Sequence, residues 1–325
     1  MVDTRTVEPK LIIIDTDAGI DDAWAIMMIL AQPGIDVLAI TTVHGNVSLE
    51  QATTNSCLIL DQLGSQIPVY RGAERPLMGG RQINSTALMG EDGLGGSTTQ
   101  IPPSHRMVQK EAAAIALTRL VRQHPGEVTI LAIGSLTNLA LAARLDENFS
   151  WNVGRLVIMG GAIQARGNSS SIAEFNIHAD PEAAQIVFTA GFRDIWLLPW
   201  ETSLKYPLLW DDYELMKKEQ SPKIRFATGM MDVLESFLHN VLGSSGLILP
   251  DPLAAAVCVN ASLVTQASHL PIQVEICGEI GRGLTAVDWQ NSSGNPNRVH
   301  IVTEIDEKRT YALLRSSLIE TLMTK

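Results

Sequence analysis

Leu11-Ile12-Ile13-Ile14 is an unbroken aliphatic run that ends abruptly in Asp15-Thr16-Asp17. A run apolar at every position, rather than at alternate ones, fits a strand covered on both faces, the condition of strands in a parallel sheet. The alternation that follows extends this constraint. Helical periodicity is expected from Asp21 to about Gln32, stopped by Pro33-Gly34, then a strand from Val37 to Val43, a helix from Leu49 to Leu63 and a short strand from Ile67 to Tyr70. An irregular stretch from Arg71 to about Pro103 precedes a helix from Val108 to Gln123, a strand from Val128 to Ile133 and a helix from Leu136 to Leu145. A strand from Leu156 to Met159, a helix from Pro181 to Thr189 and a strand from Ile195 to Leu198 continue the pattern. The rest reads as a helical excursion (Trp210 to Gln220 and Pro222 to Leu242), a helix from Pro252 to Val259, strands near Ile272 to Cys277 and Val299 to Val302, and a closing helix. No linker or internal repeat interrupts this order. The expectation is one α/β domain over residues 1–325, an open, mostly parallel sheet with helices on both faces.

Composition narrows the partners. With 46% hydrophobic and 18% charged residues the chain can build a core and is not a disordered protein. A net charge of −11 without a basic run argues against nucleic acid or an anionic membrane surface as the main partner. The three cysteines, Cys57, Cys258 and Cys277, are far apart and fit reduced thiols better than a disulfide framework. Met1 to Lys10 is polar, and the apolar run behind it is too short for a signal-peptide core or a membrane span, so a cytoplasmic location is expected.

In open α/β sheets ligands bind beyond the carboxyl ends of the strands. There Asp15, Asp17, Asp21 and Asp22 place four carboxylates within eight residues, which repel one another unless a cation neutralises them. An all-oxygen set without His or Cys suits Ca²⁺ or Mg²⁺ rather than zinc. Considered singly, each has a plainer explanation: Asp21 and Asp22 favour the first turn of a helix, and Asp15 can satisfy strand-end N–H groups. Capping needs one or two such residues, not four. Asp180-Pro181 and Asp251-Pro252 both read as an N-cap followed by proline at the first helical position.

The segment Asp15-Thr16-Asp17-Ala18-Gly19-Ile20-Asp21-Asp22-Ala23 resembles the N-terminal motif of the nucleoside hydrolases. The resemblance continues through Thr41 to Asn46, Gly134 to Asn138, Met159 to Gly161 with Ala173 to Ala183, and Asp251-Pro252. It implies hydrolysis of the N-glycosidic bond of a ribonucleoside by a homodimer or homotetramer. It also implies Ca²⁺ held by Asp17, Asp22, Asp251 and the carbonyl of Ile133, with Asp17 as the general base toward the attacking water and Asp15 orienting its neighbours. Asp21, Asn46, Asn176 and Asp251 would then hold the 2′- and 3′-hydroxyl side of the ribose, Asn168 and Glu174 the 5′-hydroxyl, and Met159 would lie against the sugar.

The sequence departs from the family where the leaving base is activated. Pro250 stands where many members carry a histidine before the last calcium-binding aspartate, and Met89 stands where many carry one at the start of a mobile glycine-rich loop. His239 is the nearest substitute acid by sequence. With both histidines absent, the reading leans toward purine nucleosides. Two rivals follow from the same residues: a ribonucleoside-binding relative without turnover, favoured by the missing acid, and a haloacid-dehalogenase-like phosphatase, disfavoured by the second Asp pair.

Overall fold

In the computed structural model, which describes residues 10–79 and 83–319, the aliphatic run becomes β1 (Leu11–Thr16). It joins β2 (Asp36–Thr42), β3 (Val69–Arg71), β4 (Val128–Ala132), β5 (Arg155–Met159), β6 (Ile195–Leu198), β7 (Val264–Leu270) and β8 (Val299–Ile305). These eight strands form one sheet in the order β3-β2-β1-β4-β5-β6-β8-β7. Every neighbouring pair is parallel except β7, which runs antiparallel to β8 at the edge.

Side chains alternate across a strand, so Ile12 and Ile14 face one helical layer and Ile13 the other. The first layer contains the helices Ile20–Leu30, Leu49–Gln62, Pro250–Val259 and Glu307–Ile319, and the second contains Ala113–Gln123, Thr137–Leu145 and Pro181–Thr189. All three isoleucines are fully buried, each contributing roughly 1.5–3 kcal/mol of hydrophobic stabilisation. The chain leaves β1 toward β2 on one side and returns with β4 on the other. The crevice this opens at their carboxyl ends is where such sheets bind ligands.

Several local expectations change. The helix expected from Val108 begins only at Ala113, because Gln109 bridges Tyr70 beside β3, its N–H donating to Val69 O. The segment expected as one helix from Pro222 to Leu242 is two, Pro222–Gly229 and Asp232–Asn240, and the turn between them buries Met230 and Met231 completely. The strand expected near Ile272 to Cys277 covers only Ile272–Val274, paired outside the main sheet with Thr285–Val287. β7 and the short helix Trp200–Lys205 were not expected, the first because its polar sequence covers the sheet edge with little apolar content. The reading of Met1 to Lys10 falls, apart from Lys10, outside the described residues. No helix among the described residues is long and apolar enough to cross a membrane.

Candidate active site

The turn after β1 is built by its own side chains. Thr16 Oγ1 accepts from Ala18 N (3.0 Å) and donates to Asp22 Oδ1, while Asp22 Oδ2 accepts from Gly19 N (2.9 Å) at the start of the Ile20–Leu30 helix. Ala18 sits in the left-handed region at φ 50°, a costly conformation for a residue with a Cβ. Asp21 and Asp22 thus lie in the first helical turn, where the dipole favours negative charge.

Asp17 is held by the turn after β2. Its Oδ2 accepts from Asn46 N (2.6 Å) and its Oδ1 from Asn46 Nδ2 (3.1 Å), and the same amide reaches Asp22 Oδ2 (3.3 Å). This approach requires Gly45, since a Cβ there would stand 1.9 Å from Asp17 Oδ2. Asp15 lies behind, its Oδ1 accepting from Thr41 Oγ1 and from Asn138 Nδ2 (2.8 Å).

Asp251, at the start of the Pro250–Val259 helix, completes the carboxylate cluster. Ligating oxygens of Asp21, Asp22 and Asp251 lie within 4.8 Å of one another, all buried. Asp17 adjoins that group of three, its two oxygens accepting from Asn46, whose side-chain amide also reaches Asp22. Burial, then repulsion by Asp22, holds Asp17 well above the usual carboxylate range. Burial and the charges of Asp21, Asp22 and Asp17 do the same to Asp251, and burial raises Asp22. Burial and Asp22 push Asp21 to about 7, and burial alone takes Asp15 to about 7.

None of the ion pairs among the described residues involves these groups, and Asp21 Oδ1 is buried without a hydrogen-bond partner. Buried like charges and an orphaned oxygen are what a hard divalent cation would neutralise, so the donor set fits Ca²⁺.

Across the crevice, Asn176 Nδ2 donates to Ile133 O and Met159 O, both at 3.1 Å, tying the ends of β4 and β5 together. Glu174 caps the helix Phe175–Ala179, accepting from Asn176 N (2.9 Å), Ile177 N (3.2 Å) and Gly161 N (2.8 Å). Burial nevertheless lifts its carboxyl to about 7. Asn168 Oδ1 accepts from Phe175 N (2.8 Å), and Asn168 is exposed at the rim.

These groups border a cavity of about 460 Å³, lined among others by Asp21, Asn46, Ile133, Met159, Asn168, Glu174, Asn176 and Asp251. The rest of the lining is largely apolar and includes Leu88, Met89, Phe175, Trp200, Leu204, Leu234, Phe237, Leu238, Leu242, Ile248 and Pro250. The volume and the polar-to-apolar division suit a small amphipathic ligand with a hydroxyl-rich half and a flat apolar half. His239 does not border the cavity. It is exposed on its helix with its ring 5.3 Å from that of Trp210, which removes it as the substitute acid.

Trp200, Phe237 and Ser85 at the cavity wall have no assignment from the sequence, and Thr16 and Asn138, which lie within its motif blocks, gain their supporting roles only here. Trp200 alone carried a usable signal, because it stands just beyond the carboxyl end of β6.

Comparison with known proteins agrees with this geometry. The family model described as "Inosine-uridine preferring nucleoside hydrolase" matches residues 12–312. The chain is 38% identical over 288 residues to uridine nucleosidase 1 of Arabidopsis thaliana, covering 87% of this chain and 84% of that protein. Among solved structures it resembles a plant nucleoside hydrolase with a TM-score of 0.89 at 33% identity, over 96% of this chain and 99% of the other. It also resembles an inosine-guanosine nucleoside hydrolase with a TM-score of 0.87 at 31% identity, over 95% and 98% of the two chains.

Proposed function

The chain belongs to the inosine-uridine-preferring nucleoside hydrolase family and is a ribonucleoside hydrolase; from that premise we propose that it is Ca²⁺-dependent and acts on purine nucleosides ahead of pyrimidine ones. The observation that carries this reading is one cavity whose lining combines the buried carboxylates Asp21 and Asp251 with aromatic and aliphatic side chains.

Asp21, Asp22 and Asp251, with Asp17 adjoining and Ile133 O at the strand end, are the residues that would hold the ion. When bound, calcium supplies a fixed positive charge that neutralises the cluster and acidifies the attacking water. Asp17 is the general base. Its carboxylate is oriented by two bonds from Asn46, which fix the direction from which it takes a proton. Cleavage of the ribosyl C–N bond develops positive charge on the sugar. The carboxylates of the polar side and the amide oxygens of Asn46 and Asn176 stabilise that charge more in the transition state than in the ground state. Asp21, on the cavity lining, accepts from a ribose hydroxyl, and Glu174 retains one acceptor site after its three backbone bonds, suited to the 5′-hydroxyl that Asn168 also faces. A deoxyribose would leave such groups unpaired, which favours ribose.

At the apolar end Pro250 and Met89 offer no proton. Trp200 and Phe237 present the aromatic surface there, and the larger face of a purine gains more from stacking than a pyrimidine does. Three free cysteines among the described residues accord with a cytoplasmic protein, and we read it as a homodimer or homotetramer, which light scattering would resolve.

The test is ribose release from inosine, adenosine, guanosine, uridine and cytidine, with and without chelator, by wild type and by Trp200→Ala and Trp200→Phe. The expected result is activity abolished by chelator and restored by Ca²⁺, with purines preferred, that preference lost in Trp200→Ala and largely kept in Trp200→Phe. Uridine turned over faster than inosine by wild type would overturn the base assignment. Full activity in chelator would overturn the metal assignment.

A further inference from the structure

Asn55 lies within the Leu49–Gln62 helix, fully buried, and does not border the cavity. Its amide serves two distant carbonyls. Nδ2 donates to Ala18 O (3.0 Å) and to Asp92 O (2.8 Å), while Oδ1 accepts from Gln51 Nε2 (2.8 Å). Ala18 is the left-handed residue inside the carboxylate turn. Asp92 begins the glycine-rich turn that follows Met89.

That turn is fastened rather than loose. Asp92 Oδ1 accepts from Leu94 N (3.0 Å) and Gly96 N (2.8 Å), and Leu94 is fully buried in the core. Gly93, at φ 75°, passes so close to the helix that a Cβ would stand 2.7 Å from Val47 Cγ1 and 3.2 Å from Asn55 Nδ2. The segment is also fastened at its other end: Ser85 N donates to Asn46 O (3.1 Å) and Ser85 Oγ to Asn46 Oδ1. The stretch that carries Leu88 and Met89 into the cavity is therefore pinned through Asn46, which orients Asp17, and through Asn55, which holds Ala18.

We propose that Asn55 is a positioning residue that locks the carboxylate turn and the base-side wall into one fixed relation. The proposal rests on reading this cavity as a nucleoside site. A residue that only stabilised the fold would, when replaced, lower thermal stability and leave turnover well below the melting temperature alike for all leaving groups. A clamp between two site segments predicts a loss that depends on the leaving group, because Leu88 and Met89 face the base, and a coupled loosening of both segments.

The experiment pairs amide hydrogen exchange with kinetics for Asn55→Leu, which keeps the shape and removes both donors. The expected result is faster exchange together at Ala18 and Gly19 and at Gly93, Leu94 and Gly95, by about tenfold for the loss of one bond to each segment. With it, kcat/KM for inosine falls about tenfold, and that for p-nitrophenyl riboside, whose leaving group departs without help from the wall, falls clearly less. Should Asn55→Leu fail to fold, Gln51→Leu, at a half-buried position that only braces Asn55, is expected to shift both segments and both substrates in the same directions by a smaller factor. Exchange that accelerates in one segment only, or equal losses on the two substrates, overturns the proposal. Absence of ribose release by wild type would instead strike the reading of the site, and the exchange measurement would still decide the clamp.

Discussion

Replacing Asp251 by asparagine should have opposite effects on stability depending on calcium. The ligating oxygens of Asp21, Asp22 and Asp251 lie within 4.8 Å of one another in a buried setting. Two unit charges at that distance repel by roughly 3 kcal/mol at an effective dielectric near 20. Proton uptake relieves most of this repulsion, since burial and the neighbouring carboxylates already hold Asp251 well above its ordinary range. The residual gain from deleting one carboxyl, whose amide replacement can donate to Asp22, is about 1–2 kcal/mol. For a chain of this length that corresponds to a melting temperature roughly 1.5–3 °C higher in chelator. Wild type in calcium at a hundredfold its dissociation constant gains about 2.7 kcal/mol, enough to reverse the order. Scanning calorimetry of both proteins in EDTA and across a calcium titration gives the answer. A variant less stable than wild type in EDTA, or one whose melting temperature follows calcium as the wild type's does, refutes the reasoning that these carboxylates are a strained cation site.

Asp17→Asn should lower kcat by about 10²–10⁴-fold with the fold retained, the range a general base supplies; near-normal turnover would remove Asp17 from that role. Gly45→Ala places a Cβ 1.9 Å from Asp17 Oδ2, so it should displace that carboxylate and lower kcat at least about tenfold while the far-UV spectrum is unchanged; wild-type kcat would contradict the close approach. Burial holds the His44 imidazole, beside Thr137 and Ser135, down at about 4. Because the folded value is depressed, the unfolded chain binds the extra proton between about pH 6.5 and 4, and the stability His44 contributes is lost as pH falls through that window, by up to about 3 kcal/mol. Denaturant titrations at pH 7 and 4.5 should therefore show a smaller acid loss in His44→Gln than in wild type, and equal losses would count against a neutral buried imidazole.

Local sequence alone carried the fold class and one half of the site. The run Leu11 to Ile14 and the central strands β4, β5 and β6 are largely apolar on both faces because both faces are covered, so their pattern already implies a parallel sheet between helical layers. The turn Asp15 to Asp22 organises itself through Thr16 and Asp22 within a few residues, and its acidic density was readable without contacts. Tertiary packing decided the rest. By spacing alone Asp251 and Pro252 read as an N-cap and N1 proline, and only the family resemblance assigned Asp251 to an ion; in the fold Leu249 is the N-cap, and the packing of the helix Pro250–Val259 on Ile20–Leu30 brings the Asp251 carboxylate to Asp21 and Asp22. The apolar wall is contributed by Leu88, Met89, Trp200, Phe237 and Leu238, residues from separate excursions whose shared cavity no periodicity encodes. The same holds for His239, whose exclusion depends on which face of a nine-residue helix turns inward, and for Asn55, whose two carbonyl partners come from segments on either side of it in sequence. Pattern reports what a residue needs from its surroundings, namely burial, a cap or a turn, but which distant group meets that need is settled only when the layers pack.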